Sequence, residues 1–178
     1  MSDILLAMLL GWLIADLLTG LFHWLEDRVL WMDMPLLGKL VVEPNREHHL
    51  DPMAFVEAGF FARNWTTWAA ALPIALGWLW LGGFSPVWLG AVLGGIFANE
   101  VHALTHRGKA VPAFWRALQE TGLVASAAHH GQHHAGDHDR RYCILSAWLN
   151  PWLDLIGFWA ALERLLTMIG LEPNRGTK

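Results

Sequence analysis

HHGQHHAGDHDRRYC, residues His129–Cys143, carries five of the chain's ten histidines and is bracketed by apolar sequence. His130 and His134 are four apart and His133 is three from His130, so on a helix these three imidazoles share one face. Neutral imidazole is the commonest protein ligand for transition metals. A solvated loop or a tag remnant is the bland alternative, and the irregular spacing deep inside the chain speaks against a tag. The rest of the sequence is read outward from this cluster.

Composition points to a bilayer. Of 178 residues, 54% are hydrophobic and only 16% charged, with twelve tryptophans. A net charge of -4 and the lack of a basic patch interleaved with aromatics exclude a nucleic-acid partner. A single cysteine, Cys143, excludes an internal disulfide framework and any cysteine-based zinc or iron–sulfur site, and reads as a small buried residue. The length fits one domain over residues 1–172, followed by a disordered tail over 173–178. No internal repeat is visible. The N-terminus, lacking a basic n-region and a small-residue cleavage site, is expected to be a retained membrane segment.

Ile4–Leu25 is almost continuously apolar and, at 1.5 Å per residue, long enough for a hydrocarbon core of about 30 Å. Asp16 interrupts it. A carboxylate in mid-span costs roughly 2.5–3.5 kcal/mol on insertion scales, so it is expected to face inward. Asp16, Gly20, His23 and Asp27 form one helical stripe leading to a histidine. After a polar connection, Arg46-Glu47-His48-His49-Leu50-Asp51-Pro52 predicts a helix end or turn that presents two rings to a common centre. A second span is expected from about Trp65 to Leu81, a turn at Gly82–Pro86, and a third span from Val87, with Gly90 and Gly94 permitting close helix contact. The third span ends with His102 and His106 one turn apart and Asn99 on the same face. No Glu follows the first of these histidines, so a metalloprotease motif is rejected.

Val111–Ala128 is amphipathic and fits either a short fourth span or an interfacial helix. Ile144–Ile169, with Asp154, Glu163 and Arg164 among apolar turns, predicts a helix lying at the interface. Trp12, Trp65, Trp68, Trp78, Trp80 and Trp88 read as interfacial and packing residues, and Trp24 is expected near the site. With three spans, the residues before Ile4 and the turn at Gly82–Pro86 share one side, and neither holds Lys or Arg. All twelve basic residues fall on the other side, which the positive-inside rule makes cytoplasmic, and every histidine lies there too. The expected fold is therefore all-α: a multi-pass membrane helical bundle of three or four transmembrane helices, with interfacial helices and a cytoplasmic histidine-rich site for two metals.

One tetrahedral ion takes four ligands and one octahedral ion six, so eight or more converging imidazoles imply two metals. All-nitrogen ligation at a membrane surface suits iron, with zinc also compatible. Iron can reduce O2 to an oxidant able to take hydrogen from an unactivated C–H bond, while the protein positions the chain and excludes water. A site at the mouth of an apolar bundle can receive a lipid tail from the bilayer and electrons from the cytosol. A lipid oxidase or desaturase follows.

The motif order Asp16…Gly20-x-x-His23-Trp24-x-x-Asp27, Arg46-Glu47-His48-His49-x-Asp51-Pro52, Asn99-x-x-His102-x-x-x-His106, His130-x-x-His133-His134, Tyr142-Cys143 and Trp148-Leu149-Asn150…Ile156-Gly157-Phe158-Trp159 resembles the Kua-type lipid desaturase family. The resemblance covers roughly residues 16–163. It implies a membrane di-iron enzyme using O2, with His23, His48, His49, His102, His106, His130, His133 and His134 as ligands. The form of the second motif, together with His138, leans toward the plasmanylethanolamine branch over the plant plastid phosphatidylglycerol branch. His138 is carried as a ninth candidate ligand and His129 as a neighbour of the set or an exposed ring. Asp16 is read as supporting the site from within the bundle. Asp27, Glu47, Asp51, Asn99 and Glu100 are candidates to orient ring N–H groups, ordinary capping and surface charge being the alternative. Tyr142 reads as a loop anchor.

The expected substrate is a membrane glycerophospholipid oxidised near its headgroup, because His23, His102 and His106 stand at the cytoplasmic ends of their spans. The resemblance favours conversion of an alkyl ether to a vinyl ether, with acyl-chain desaturation as the alternative. A sterol-type di-iron hydroxylase, a non-catalytic metal-binding or metal-transport membrane protein, and a structural module are the rivals. The sequence carries no haem, flavin or iron–sulfur motif, so a separate electron donor is expected, such as a cytochrome b5-like protein or a ferredoxin. Oligomeric state is left open, and a bacterial inner membrane would suit so compact a chain.

Overall fold

Among the described residues nine α-helices follow one another: α1 (Ser2–Arg28), α2 (Glu43–Leu50, entered through a π-helical turn at Gly38–Val42), α3 (Pro52–Glu57), α4 (Phe60–Gly82), α5 (Pro86–His106), α6 (Ala113–Glu120), α7 (Ala127–His130), α8 (Leu149–Leu155) and α9 (Phe158–Met168). The computed structural model describes residues 1–174, and no strand occurs among the described residues. Local sequence explains the boundaries. Ser85 caps α5 by accepting from the Trp88 N–H at 3.1 Å, with Pro86 at the first helical position. Asp51 caps α3 through the N–H groups of Met53 and Ala54. Gly83, at φ +70°, ends α4 in a conformation that favours glycine.

α1 and α5 form the frame of the molecule. Met8 meets Gly90, Ala15 meets Gly94, and His23 stands beside His102, so the two helices run parallel. Their axes approach so closely that a Cβ on Gly90 would overlap the Met8 carbonyl, and one on Gly11 the Val87 carbonyl. Small residues on both helices thus set the separation, the usual means of helix association in a bilayer. α4 lies antiparallel along α5. Trp88 Nε1–H donates to the Ala75 carbonyl at 2.9 Å and Trp68 Nε1–H to the Ile96 carbonyl at 3.2 Å. The outer faces carry exposed Leu5, Leu6, Leu10, Leu72, Leu76 and Trp80. Two helices, Ser2–Arg28 and Pro86–His106, are long and apolar enough to cross a membrane. α4 is of similar length but is not among them, its first third carrying Arg63, Asn64, Thr66 and Thr67.

One alternative falls and one expectation is corrected. Val111–Ala128 does not form a fourth span: its helix, α6, ends at Glu120, and eight residues rise only about 12 Å. Gly122, at φ +76°, turns the chain there. Ile144–Ile169 is not one helix, since residues 144–148 are non-helical and Gly157, left-handed at φ +66°, separates α8 from α9. Of the expected tail, Pro173 is buried and the Asn174 N–H donates to the Arg28 carbonyl at 2.7 Å. The remainder of that predicted tail, 175–178, lies outside the described residues.

The non-helical 144–148 segment lies against both frame helices. Asp16, wholly buried, accepts from the Leu145 N–H at 2.8 Å and the Ser146 hydroxyl at 2.6 Å. Leu145 packs with Ala15, Ala98, Val101, Val124 and Ile144. Beside it, Trp24, Tyr142, Cys143 and Trp159 form a second cluster. These two clusters fix the chain that carries the late histidines against α1 and α5.

Candidate metal centre

His23 and Asp27 are one turn apart on α1, and His102 and His106 one turn apart on α5, so each helix presents a pair on one face. His48 and His49 are adjacent on α2, where successive side chains diverge by about 100°. They therefore point to different neighbours. α7 stops at His130, and the chain continues in turns. One more helix-like bond, His134 N–H to the His130 carbonyl at 3.4 Å, keeps His130 and His134 together, while His133 faces away.

The result is two ligand sets. His48, His102, His106, His130 and His134 bring one ring nitrogen each to within 4.8 Å of one another, and His23, Asp27, His49 and His133 do the same. The sets adjoin, with ring centroids 4.9 Å apart for His49 and His134 and 5.8 Å for His23 and His102. His130 Nε2 lies 2.8 Å from His102 Nε2 and 3.0 Å from His134 Nε2. Nitrogens about 2.1 Å from a shared ion and at right angles around it would be about 3.0 Å apart.

The donor chemistry fits cations. His23 Nε2, His106 Nε2, His130 Nδ1, His133 Nε2, Asp27 Oδ2 and both nitrogens of His48 are buried without a hydrogen-bond partner. A buried polar atom left unpaired costs about 1–3 kcal/mol, and an ion at each centre would satisfy His23 Nε2, Asp27 Oδ2, His133 Nε2, His106 Nε2 and one of the two His48 nitrogens. Burial, reinforced by neighbouring imidazoles, holds His48 and His130 far below the usual histidine range and His134 at about 2. These rings are therefore neutral, the form that coordinates.

Several rings are aimed through their second nitrogen. His133 Nδ1–H donates to the Arg140 carbonyl at 2.8 Å, and His23 Nδ1 lies 3.3 Å from the Tyr142 carbonyl, leaving both Nε2 atoms for the centre. Tyr142 is itself fully buried, and its hydroxyl donates to the His138 carbonyl at 2.7 Å, anchoring the loop.

Residues expected only to support the site are distributed differently. Asp27 does more than orient a ring: Oδ1 accepts from Asn45 at 2.6 Å and lies 3.1 Å from His49 Nε2, and Oδ2 is 3.3 Å from His133 Nε2. It belongs to the four-residue set. Asp16 touches no histidine and holds the 145–146 backbone instead. Asn99 donates to the Arg63 carbonyl and Thr67, and Glu100 pairs with Arg63, so both tie α5 to α4 and neither orients an imidazole. Asp51 is a helix cap and Glu47 is exposed. His138, left-handed at φ +50°, lies 4.3 Å from the His49 ring but joins neither set. Its pKa is lowered, first by burial and then by His49 and His133. His129 is taken up by Asn150, whose Nδ2 lies 2.8 Å from His129 Nε2. Trp24 packs with Tyr142, Cys143 and Trp159.

Asn45 and Asn150 are further residues of the site. Asn150 also bonds both the N–H and the carbonyl of Cys143, at 3.0 and 2.7 Å. Its signal was the Trp148-Leu149-Asn150 motif, whereas Asn45 carries no signal apart from standing three residues before His48.

A lipid desaturase domain matches residues 12–176. Plasmanylethanolamine desaturase of Myxococcus xanthus is 35% identical over 97% of this chain and 64% of its own length. Plasmanylethanolamine desaturase 1 of Mus musculus is 32% identical over 97% and 68%, and the chloroplastic fatty acid desaturase 4-like 2 of Arabidopsis thaliana 30% identical over 94% and 62%. The chain thus spans about two thirds of the length of these curated relatives. No solved structure matches it. With the matched domain running through both ligand sets, the chain belongs to the lipid desaturase family, a family of oxidoreductases.

Proposed function

We propose that the chain is an integral membrane enzyme that desaturates a glycerophospholipid chain close to its headgroup, turning an alkyl ether into a vinyl ether. The observation that carries this reading is the pair of adjoining, buried, histidine-rich sets at one end of the parallel helices α1 and α5. Two irons, held by these sets, would supply the chemistry for reducing O2 to two water molecules, coupled to loss of two hydrogens from adjacent chain carbons. Two electrons from an external donor and two protons complete the balance. A cytochrome b5-like protein or a ferredoxin would serve as the donor.

The protein's own contribution is geometric. His48, His102, His106, His130 and His134 would hold one ion, and His23, Asp27, His49 and His133 the other. The Arg140 and Tyr142 carbonyls and Asn45 orient members of the second set. Burial of Trp24, Tyr142 and Trp159 keeps water from its rear. In the membrane, α1, α4 and α5 would be the three spans, with α6, α8 and α9 at the cytoplasmic interface. The depth of the site follows from His23, His102 and His106, which lie in the last two turns of their helices, at the level of a lipid's first chain carbons.

The ether substrate is supported by the likeness to the bacterial and mouse plasmanylethanolamine desaturases. An acyl-chain substrate is the second reading, favoured by the plant relative's name. Labelled alkyl-ether and acyl phospholipids supplied to cells expressing the protein separate them. Acid-labile aldehyde release from the ether lipid supports the first, and a double bond confined to the acyl chain supports the second. A mass gain of sixteen units in place of a loss of two would mean hydroxylation and overturn both.

A further inference from the structure

Two rings other than imidazole lie against the histidine sets. Tyr142 backs His23 and His133 from the protein interior. Phe55, on α3, stands on the opposite side, its centroid 5.0 Å from His48 and 4.9 Å from His102. It is half-buried, and its surroundings are apolar and open: Leu50, Met53, Phe60 and Phe61 are all exposed. Phe55 is thus where hydrocarbon-like surface meets the rings of the five-histidine set.

A helix of six residues cannot hold its own place, since helices shorter than about 12 residues are marginal in water. Arg63 holds it. Arg63 is 8% exposed, and its Nη1 donates to the carbonyls of Phe55 at 3.2 Å, Val56 at 2.9 Å and Ala58 at 2.9 Å. Nε and Nη2 make a two-pronged pair with Glu100, at 2.9 and 3.0 Å. Asn64 donates to the same Glu100 carboxylate at 2.7 Å. The end carbonyls of α3, unpaired within a helix this short, are therefore clamped to α4 and α5 by one side chain.

We propose that Phe55 is the hydrocarbon contact of the site, the surface on which the first carbons of the substrate chain rest beside His48 and His102, and that Arg63 is the positioning residue that fixes it. This rests on the reading of the site as one that oxidises a lipid chain. An apolar ring offers no hydrogen bond to compete with the histidines, excludes water, and limits where a methylene can stop. Regiochemistry then depends on the Arg63 clamp, since a shift of about 1 Å in a reacting group can cost about a hundredfold in rate.

The test uses the full chain, purified in detergent with bound metal, and Phe55→Ala, Phe55→Leu and Arg63→Lys. Metal per chain, KM and kcat for an alkyl-ether phospholipid, and double-bond position by mass spectrometry are measured. A phospholipid with a photoreactive diazirine on a chain carbon near the headgroup is crosslinked in parallel. Phe55→Ala is expected to keep its metal, raise KM about tenfold and scatter the double bond along the chain, with Phe55→Leu restoring most of both. Arg63→Lys keeps the charge but loses the fork, and should reproduce the scatter with metal retained. The diazirine should label the Pro52–Glu57 segment. Parental KM and a single product position in Phe55→Ala would overturn the proposal, as would loss of metal in both Phe55 variants, which would make the ring a mere support for His48 and His102. Labelling of that segment in a parent protein that forms no desaturated lipid would instead count against the proposed reaction and leave the contact standing.

Discussion

Asp16 and Ser146, 130 residues apart in sequence, are joined by a 2.6 Å hydrogen bond in the interior, the serine hydroxyl donating to the carboxylate. With the Leu145 N–H on the other oxygen, one aspartate fastens the chain after the late histidines to the first helix. The carboxylate in mid-helix thus holds the segment that directly follows Tyr142, the ring that lies against His23 and His133.

Asp16→Leu removes the acceptor for two buried donors, at about 1–3 kcal/mol for each. Asp16→Asn keeps an acceptor for Leu145 and can donate to the Ser146 oxygen, so it should lose much less. Thermal unfolding in detergent is expected to rank parent, Asn and Leu in that order, with metal content unchanged in the folded fraction. Equal melting of the Leu variant and the parent would remove the structural role.

His129 and His133 separate binding from bracing. His129 meets Asn150 and belongs to neither set, whereas His133 sits in the four-residue set. His129→Ala is expected to keep its full metal content with a modest loss of stability. His133→Ala should lose about half of the metal and essentially all turnover. Equal metal loss in both would contradict the division.

The acid side should be the weak one. Burial, and then the nearby Arg141 charge, hold His129 down at about 4, and burial with neighbouring imidazoles holds His134 at about 2 and His48 and His130 far below the usual range. In the unfolded chain these rings take protons near pH 6.5. Below 6.5 the unfolded state therefore binds protons that the folded state refuses, so stability falls as pH falls toward about 4 and is flat for these groups above 6.5. The metal-free protein should melt lower at pH 5 than at pH 7.5, and the loaded protein should release metal over the same window. A higher melting temperature at pH 5 would contradict the neutral, buried state of the rings.

How far the sequence could be read depended on local geometry. The stripe Asp16, Gly20, His23, Asp27 and the pair His102, His106 follow from helical spacing alone, and the structure puts them where that spacing puts them. The same rule, applied to adjacent His48 and His49, already requires that they diverge. The partition of the late cluster was not legible, because it depends on α7 ending at His130 and on the Arg140 carbonyl turning His133 aside. Nor was the membership of Asp27, since a carboxylate beside a ring can orient it or share its ion, and only the tertiary approach of His49 and His133 decides. The break at Gly157 was hidden inside a continuous apolar pattern, with only the left-handed glycine to mark it. Phe55 and the Arg63 clamp carried no sequence signal at all, because their contacts join three helices that no periodicity relates.

Metal content and identity in the purified, active protein test the central claim most directly. Inductively coupled plasma mass spectrometry on a preparation that forms desaturated phospholipid should give about two irons per chain, one for each ligand set. One metal per chain, or stoichiometric zinc without iron in an active preparation, would contradict the account.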